Sequence, residues 1–178
     1  MLVKIGDTEE RGVFATRMIR RRERVCFYSG KDMYIGKCKD LSNSMRHPFM
    51  KDIVRCGDKY ANGGHLGVAQ LMNDGAKLWF GIHENQKYSP EIFRWCEKLV
   101  KEYIKSSKAK SNMSLEPKTF WFCSSRQIEE GEQLYYHYGP LYWLRKMYDE
   151  VIFNEWKVII HYLINRFGGD LPKFTITY

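Results

Sequence analysis

The segment "RQIEEGEQLYYHYG", residues 126–139, carries the most information in the chain. A polar turn signal, Glu129-Glu130-Gly131, leads into Tyr135, Tyr136 and Tyr138, interrupted only by His137. Tyrosines at alternate positions place Tyr136 and Tyr138 on one face of an extended strand. The plainest meaning of that pattern is a strand with one buried aromatic face. Flat, rigid rings that each carry one hydroxyl also suit the wall of a narrow binding channel. The residues outside this segment have to decide between the two.

The chain has 178 residues, a length that fits one domain with a substantial core. Apolar residues make up 44% and charged residues 28%, a globular rather than a disordered composition. The formal net charge of +8 favours acidic partners such as nucleic acid, chromatin or an anionic surface, and equally describes a merely basic surface. The five cysteines include no CxxC pair, so no zinc framework is visible and disulfides are not expected. The opening "MLVKIGDTEERG" is charged and lacks the apolar core of a secretory signal, and no apolar run is long enough to cross a bilayer.

Further along, "GVFATRMI" (12–19), the basic turn "RRRER" and "VCFYSG" (25–30) suggest a hairpin or meander. Residues 31–64 read as loops and short strands. "HLGVAQLMNDG" (65–75) is a short helix or a buried strand ending in an Asn-Asp-Gly turn. "SPEIFRWCEKLVKEYIKSS" (89–107) predicts a helix, with Ser89 as N-cap, Pro90 at the first helical position and apolar residues at helical spacing. "SSKAKSNMS" (106–114) reads as a flexible loop, and "TFWFCSSRQIEEGEQLYYHYG" as strand, turn, strand. One or two helices are expected between about 141 and 167, with Gly168 and Gly169 as C-cap.

Three separated segments share one explanation: "RGVFATRMIRRRERVCFYSG" (11–30), "GVAQLMND" (67–74) and "FCSSRQIEEGEQLYYHYG" (122–139). In this order they resemble the SET-domain lysine methyltransferases, which carry a "GxGLFA…I..GE.v.EY.G" start, a "GN.ARFINHSC" middle and an "F.A.RDI..GEELTFDYG" end. The chain departs from the pattern at Glu10, where the first glycine of the GxG element would stand. It departs again at Asp74, in place of the histidine of the middle motif, and at His137, in place of the aspartate before the final tyrosine. No cysteine cluster follows the ending, so the zinc-bound cap of many relatives is missing.

The resemblance implies a mostly β, α+β fold of small sheets with a knot-like C-terminal threading. It implies a SET domain over 1–140, with a helical insertion at about 89–107, and a helical extension over 141–178 packing on it. It also implies protein-lysine N-methylation by S-adenosylmethionine, with a histone tail or nucleosome as the leading substrate and a nuclear location, in the organism's own or a host's nucleus. Tyr138 then stands beside the transferred methyl, Tyr136 lines the lysine channel and Tyr28 supplies another wall. The backbone around Arg11, Gly12 and Val13 approaches the methionine part of the cofactor. Asn73 bonds its amino and carboxylate groups, with Asp74 beside it. Trp143 and Tyr142 are candidates to stack on the adenine or to pack the C-terminal helix. No metal site is implied, and His65, His83 and His137 read as solvated or core residues. The basic runs at 17–24 and 105–111 imply contact with nucleic acid or acidic nucleosome surfaces, or a solvated face. Two other readings stay open: a degenerate SET-like interaction module, and a basic nucleic-acid-binding protein.

Overall fold

A computed structural model describes residues 2–4, 11–38, 44–47, 49–50, 52–57, 67–81 and 89–168. The chain forms two compact units, one from Met1–Gly75 with Lys108–His137, the other from Ala76–Ser107 with Tyr138–Tyr178. The architecture is α+β, with small antiparallel sheets and three α-helices among the described residues.

In the first unit β1 (Leu2–Lys4) pairs with β2 (Arg11–Val13), in the register Leu2↔Val13. A three-stranded sheet joins β3 (Arg24–Phe27), β8 (Trp121–Ser124) and β7 (Met113–Leu115), with β8 in the centre. A second holds β4 (Gly30–Tyr34), β6 (Ile53–Gly57) and β5 (Ser44–Arg46), with β6 in the centre. The hairpin expected from 12–19 and 25–30 does not form. Residues after β2 spend their backbone groups on a distant segment, through the bridges Phe14↔Gln133 and Ile19↔Ile128, which leaves β3 to pair with β8. The segment 67–72 holds a single 3-10 turn, Ala69–Leu71. Cys26, Tyr28, Met72, Phe122, Ile128 and Leu134 are buried together in one core.

Residues 132–136 tie this unit together. The Ala15 N–H donates to the Glu132 carbonyl (2.9 Å) and the Leu134 N–H to the Val13 carbonyl (2.8 Å). On the same short segment the Tyr136 N–H donates to the Asn73 carbonyl at 3.0 Å. Asn112 holds it from a third direction. Its side-chain amide donates to the Gln133 carbonyl at 2.8 Å and accepts from the Tyr135 N–H at 2.8 Å, while its own N–H reaches the Tyr135 carbonyl at 3.1 Å. Asn112 is fully buried, so these bonds exchange with no solvent and each partner depends on it.

The loop expected at 106–114 is therefore not a loop. Helix α1 runs from Pro90 to Lys110, because Ser107 continues the buried stripe of Cys96, Val100 and Tyr103. Strand β7 starts three residues later, at Met113. A second correction concerns cysteine. Cys38 and Cys56 are joined in a disulfide, with Cα atoms 6.3 Å apart.

In the second unit the expected helical tail is two helices, α2 (Pro140–Glu150) and α3 (Asn154–Phe167), and α2 begins with proline at its first turn. The preceding Gly139 has φ 86° and ψ 157°, a backbone conformation that only glycine adopts without strain. Gly168 is the C-cap of α3, in a right-handed rather than a left-handed conformation; Gly169 lies outside the described residues. The apolar faces of α1, α2 and α3 meet in a core that includes Phe80, Val100, Leu144, Ile160 and Leu163. Phe80 stacks against Trp156 with ring centres 6.3 Å apart. Each such side chain contributes about 1.5–3 kcal/mol on burial. Among the described residues no helix is long and apolar enough to cross a membrane.

Asn112→Ala removes one acceptor and one donor from the buried segment and leaves the Tyr135 N–H and Gln133 carbonyl without it. The expected loss is about 2–4 kcal/mol of stability, read from urea or thermal unfolding. A substitution costing under about 0.5 kcal/mol would show that the clasp does not hold the segment.

Candidate functional site

The junction at 132–136 is also where the three sequence motifs converge. Val13, from the first, and Asn73, from the second, both accept backbone hydrogen bonds from the third, and Asn73 forms a parallel bridge with Tyr135. Alternation along the strand then sorts the tyrosines. Tyr136 turns towards the core and meets Phe122 edge-on at 4.8 Å. Tyr135 takes the other face, where its hydroxyl donates to the Gln133 side-chain oxygen at 2.6 Å and the Lys110 ammonium lies 4.7 Å from its ring centre. Tyr28, nearly fully buried, belongs to the same core as Tyr136.

Burial raises the Tyr136 hydroxyl above its ordinary value, and the negative charge of Asp74 raises it further. At neutral pH it is a neutral group that can both donate and accept. Burial acts oppositely on His137, lowering its imidazole below 6.5; Asp74 pulls it up and Lys108 pushes it down. His137 is thus held neutral. Asp74 acts on both neighbours of the bridge. The two departures from the family's motifs, an acid where a histidine is usual and a histidine where an acid is usual, are therefore electrostatically coupled.

Of the residues expected at the site, Gly12 and Val13 on β2, Asn73 and Asp74, Tyr136 and Tyr28 lie in the first unit, as does His137, expected as a solvated or core residue. Arg11 opens β2. Glu10, His65 and His83 lie outside the described residues. Tyr138 and Trp143 belong to the second unit, where Tyr142 meets Tyr138 edge-on at 4.7 Å and Trp143 at 5.1 Å. Lys146 lies 5.9 Å from the Trp143 ring centre. Sequence reading missed Asn112 and Lys108. Both sit in the stretch read as loop, and no motif marks either; only the apolar Met113 next to Asn112 hints at burial.

The SET-domain family model matches residues 10–139, well over half of the chain. The chain belongs to the SET-domain family, whose members are in general S-adenosylmethionine-dependent protein-lysine methyltransferases. A search of curated proteins found no matching relative.

The charge coupling has a direct readout. In Asp74→Asn, NMR titration is expected to show His137 titrating lower still and Tyr136 lower than in the wild type. His137 values that stay put or rise would contradict the coupling. Because the folded imidazole is held below its ordinary value, its contribution to stability is fully present above about pH 6.5 and is lost as pH falls from there through the lower folded pKa.

Proposed function

We propose that this chain is a protein-lysine N-methyltransferase that uses S-adenosylmethionine, with a histone tail as its leading substrate class. The observation that carries the reading is the backbone junction at 132–136, on which the motif segments for cofactor and lysine meet. The residues fit the cofactor chemically. A glycine in β2 lets the backbone approach closely, the Asn73 amide can both donate and accept, and the Asp74 carboxylate suits an ammonium or sulfonium. Val13 and Asn73 are bonded to the same strand, which supports a shared binding surface.

When bound, S-adenosylmethionine supplies an electrophilic methyl group on a sulfonium. The protein's part is to deliver a neutral lysine amine in line with that methyl. The aromatic wall of Tyr136 and Tyr28 disfavours an ammonium by desolvation. Holding the reacting atoms in line converts a collision into an internal step, the main source of rate. The protonated Tyr136 hydroxyl accepts from or donates to the amine without adding a charge. Tyr138, matching the family's final tyrosine, would be the hydroxyl that serves the transferred methyl.

Tyr138→Phe is expected to keep the melting temperature and cofactor affinity while losing most methyl transfer, measured with radiolabelled cofactor on core histones and nucleosomes. Full activity in a folded variant would remove Tyr138 from the chemistry. Asn73→Ala should weaken cofactor binding in calorimetry, by about 1.5–3 kcal/mol for each lost bond to a charged group. A wild-type chain that binds no cofactor would instead favour an interaction module, the reading to which Asp74 points.

Tyr136 is also proposed to set how many methyl groups are added. Its hydroxyl occupies the room that a methylated amine needs to turn, and a hydrogen bond there resists rotation by about 0.5–1.5 kcal/mol. Tyr136→Phe is expected to shift mass-spectrometric product from monomethyl towards di- or trimethyl-lysine with little change in the first transfer. A wild type that already makes trimethyl-lysine would exclude this role.

A further inference from the structure

The basic turn at 17–24 takes no part in the site above. It contains Arg17, Arg20, Arg21, Arg22 and Arg24 with a single acid, Glu23. Arg17 pairs with Glu23, and Arg24 with Glu116 at 2.8 Å. No ion pair among the described residues involves Arg20, Arg21 or Arg22, and all three are exposed. The local excess is therefore three guanidiniums on three consecutive residues.

The turn is held in place with unusual firmness for an exposed basic loop. Arg22 has φ 65°, a left-handed conformation that L-residues with side chains rarely adopt. It is fixed by the fully buried end of β8. The Arg22 N–H donates to the Ser124 carbonyl at 2.9 Å, the Glu23 N–H to the Ser124 hydroxyl at 3.1 Å, and that hydroxyl donates to the Arg20 carbonyl. The Ser124 N–H returns to the Glu23 carbonyl at 3.0 Å. Glycine or asparagine would fill position 22 without strain, yet arginine stands there. The enforced backbone holds the three arginines in one fixed turn.

We infer that the Arg20-Arg21-Arg22 turn is a docking surface for the phosphate backbone of double-stranded nucleic acid. Guanidinium forks match phosphate oxygens bidentately and stay charged at all physiological pH. A duplex presents about one charge per 1.7 Å of its axis, so several phosphates lie within reach of one turn. An acidic protein face rarely offers carboxylates so densely. Helix α1 provides the contrast. Its lysines are exposed too, but they are single point charges spaced along the helix and interleaved with Glu91, Glu97 and Glu102, not three guanidinium forks on consecutive residues.

The test is fluorescence anisotropy of the full chain with a labelled duplex DNA across about 50–200 mM salt, and with poly-glutamate as the rival probe. No cofactor or methyl transfer is needed, so the outcome is independent of the catalytic reading. The variants are Arg20→Gln/Arg21→Gln/Arg22→Gln and the single Arg22→Gly, which keeps the turn. The control is Lys98→Gln/Lys101→Gln/Lys105→Gln, which removes the same net charge from α1. The triple-arginine variant is expected to bind at least tenfold more weakly. Its slope of log affinity against log salt should be less steep by about 2–3, at roughly 0.9 per phosphate contact. Arg22→Gly should lose about one contact at an unchanged melting temperature, and the α1 control should stay near wild type. Three results would overturn the inference: equal losses in turn and control variants, wild-type affinity in the folded triple variant, or poly-glutamate binding as tight as DNA.

Discussion

The side-chain amide of Asn112 is the constraint on which the first unit depends. A single buried group bonds the Gln133 carbonyl and the Tyr135 N–H, and so fixes a strand too short to hold itself in any sheet. With that strand in place, Val13 and Asn73 can bond to it from their own segments, and Tyr136 is turned inward. The geometry of the candidate site follows from the arrangement of these few backbone bonds rather than from a large sheet. A buried amide that satisfies both its donor and its acceptor gives orientation as well as stability, because each bond lost leaves a partner unsatisfied in a dry interior.

Charge placement around that strand is equally specific. Burial, helped by the charge of Asp74, raises the Tyr136 hydroxyl above its ordinary value, and Asp74 moderates the burial penalty on His137 while Lys108 adds to it. An acid and a histidine stand in exchanged positions relative to the family's usual motifs, and their charges act on one another.

Much of this was legible in the sequence. The helix beginning at Pro90 followed from apolar spacing and its proline start, the two C-terminal helices from long apolar runs ending in glycine, and the membership of the SET family from three motifs in order. What could not be read were effects of distant partners. Residues 14–19 look like half of a hairpin because local signals favour one, but Gln133 and Ile128 compete for their backbone groups. "SSKAKSNMS" looks like a loop because its composition is small and polar, whereas Ser107 and Asn112 are buried polar residues satisfied only in three dimensions. The Cys38–Cys56 disulfide depends on tertiary placement of residues 18 apart in the chain, which spacing alone does not reveal.

The central claim is that the junction at 132–136, with Val13 and Asn73 bonded to it, forms the cofactor surface. Amide hydrogen exchange by mass spectrometry, with and without S-adenosylmethionine, tests it most directly. The account expects cofactor to slow exchange in peptides covering 11–15, 72–74 and 133–137 together, with little change along α3. Cofactor binding that leaves those three segments unprotected, or protects segments elsewhere instead, would contradict it.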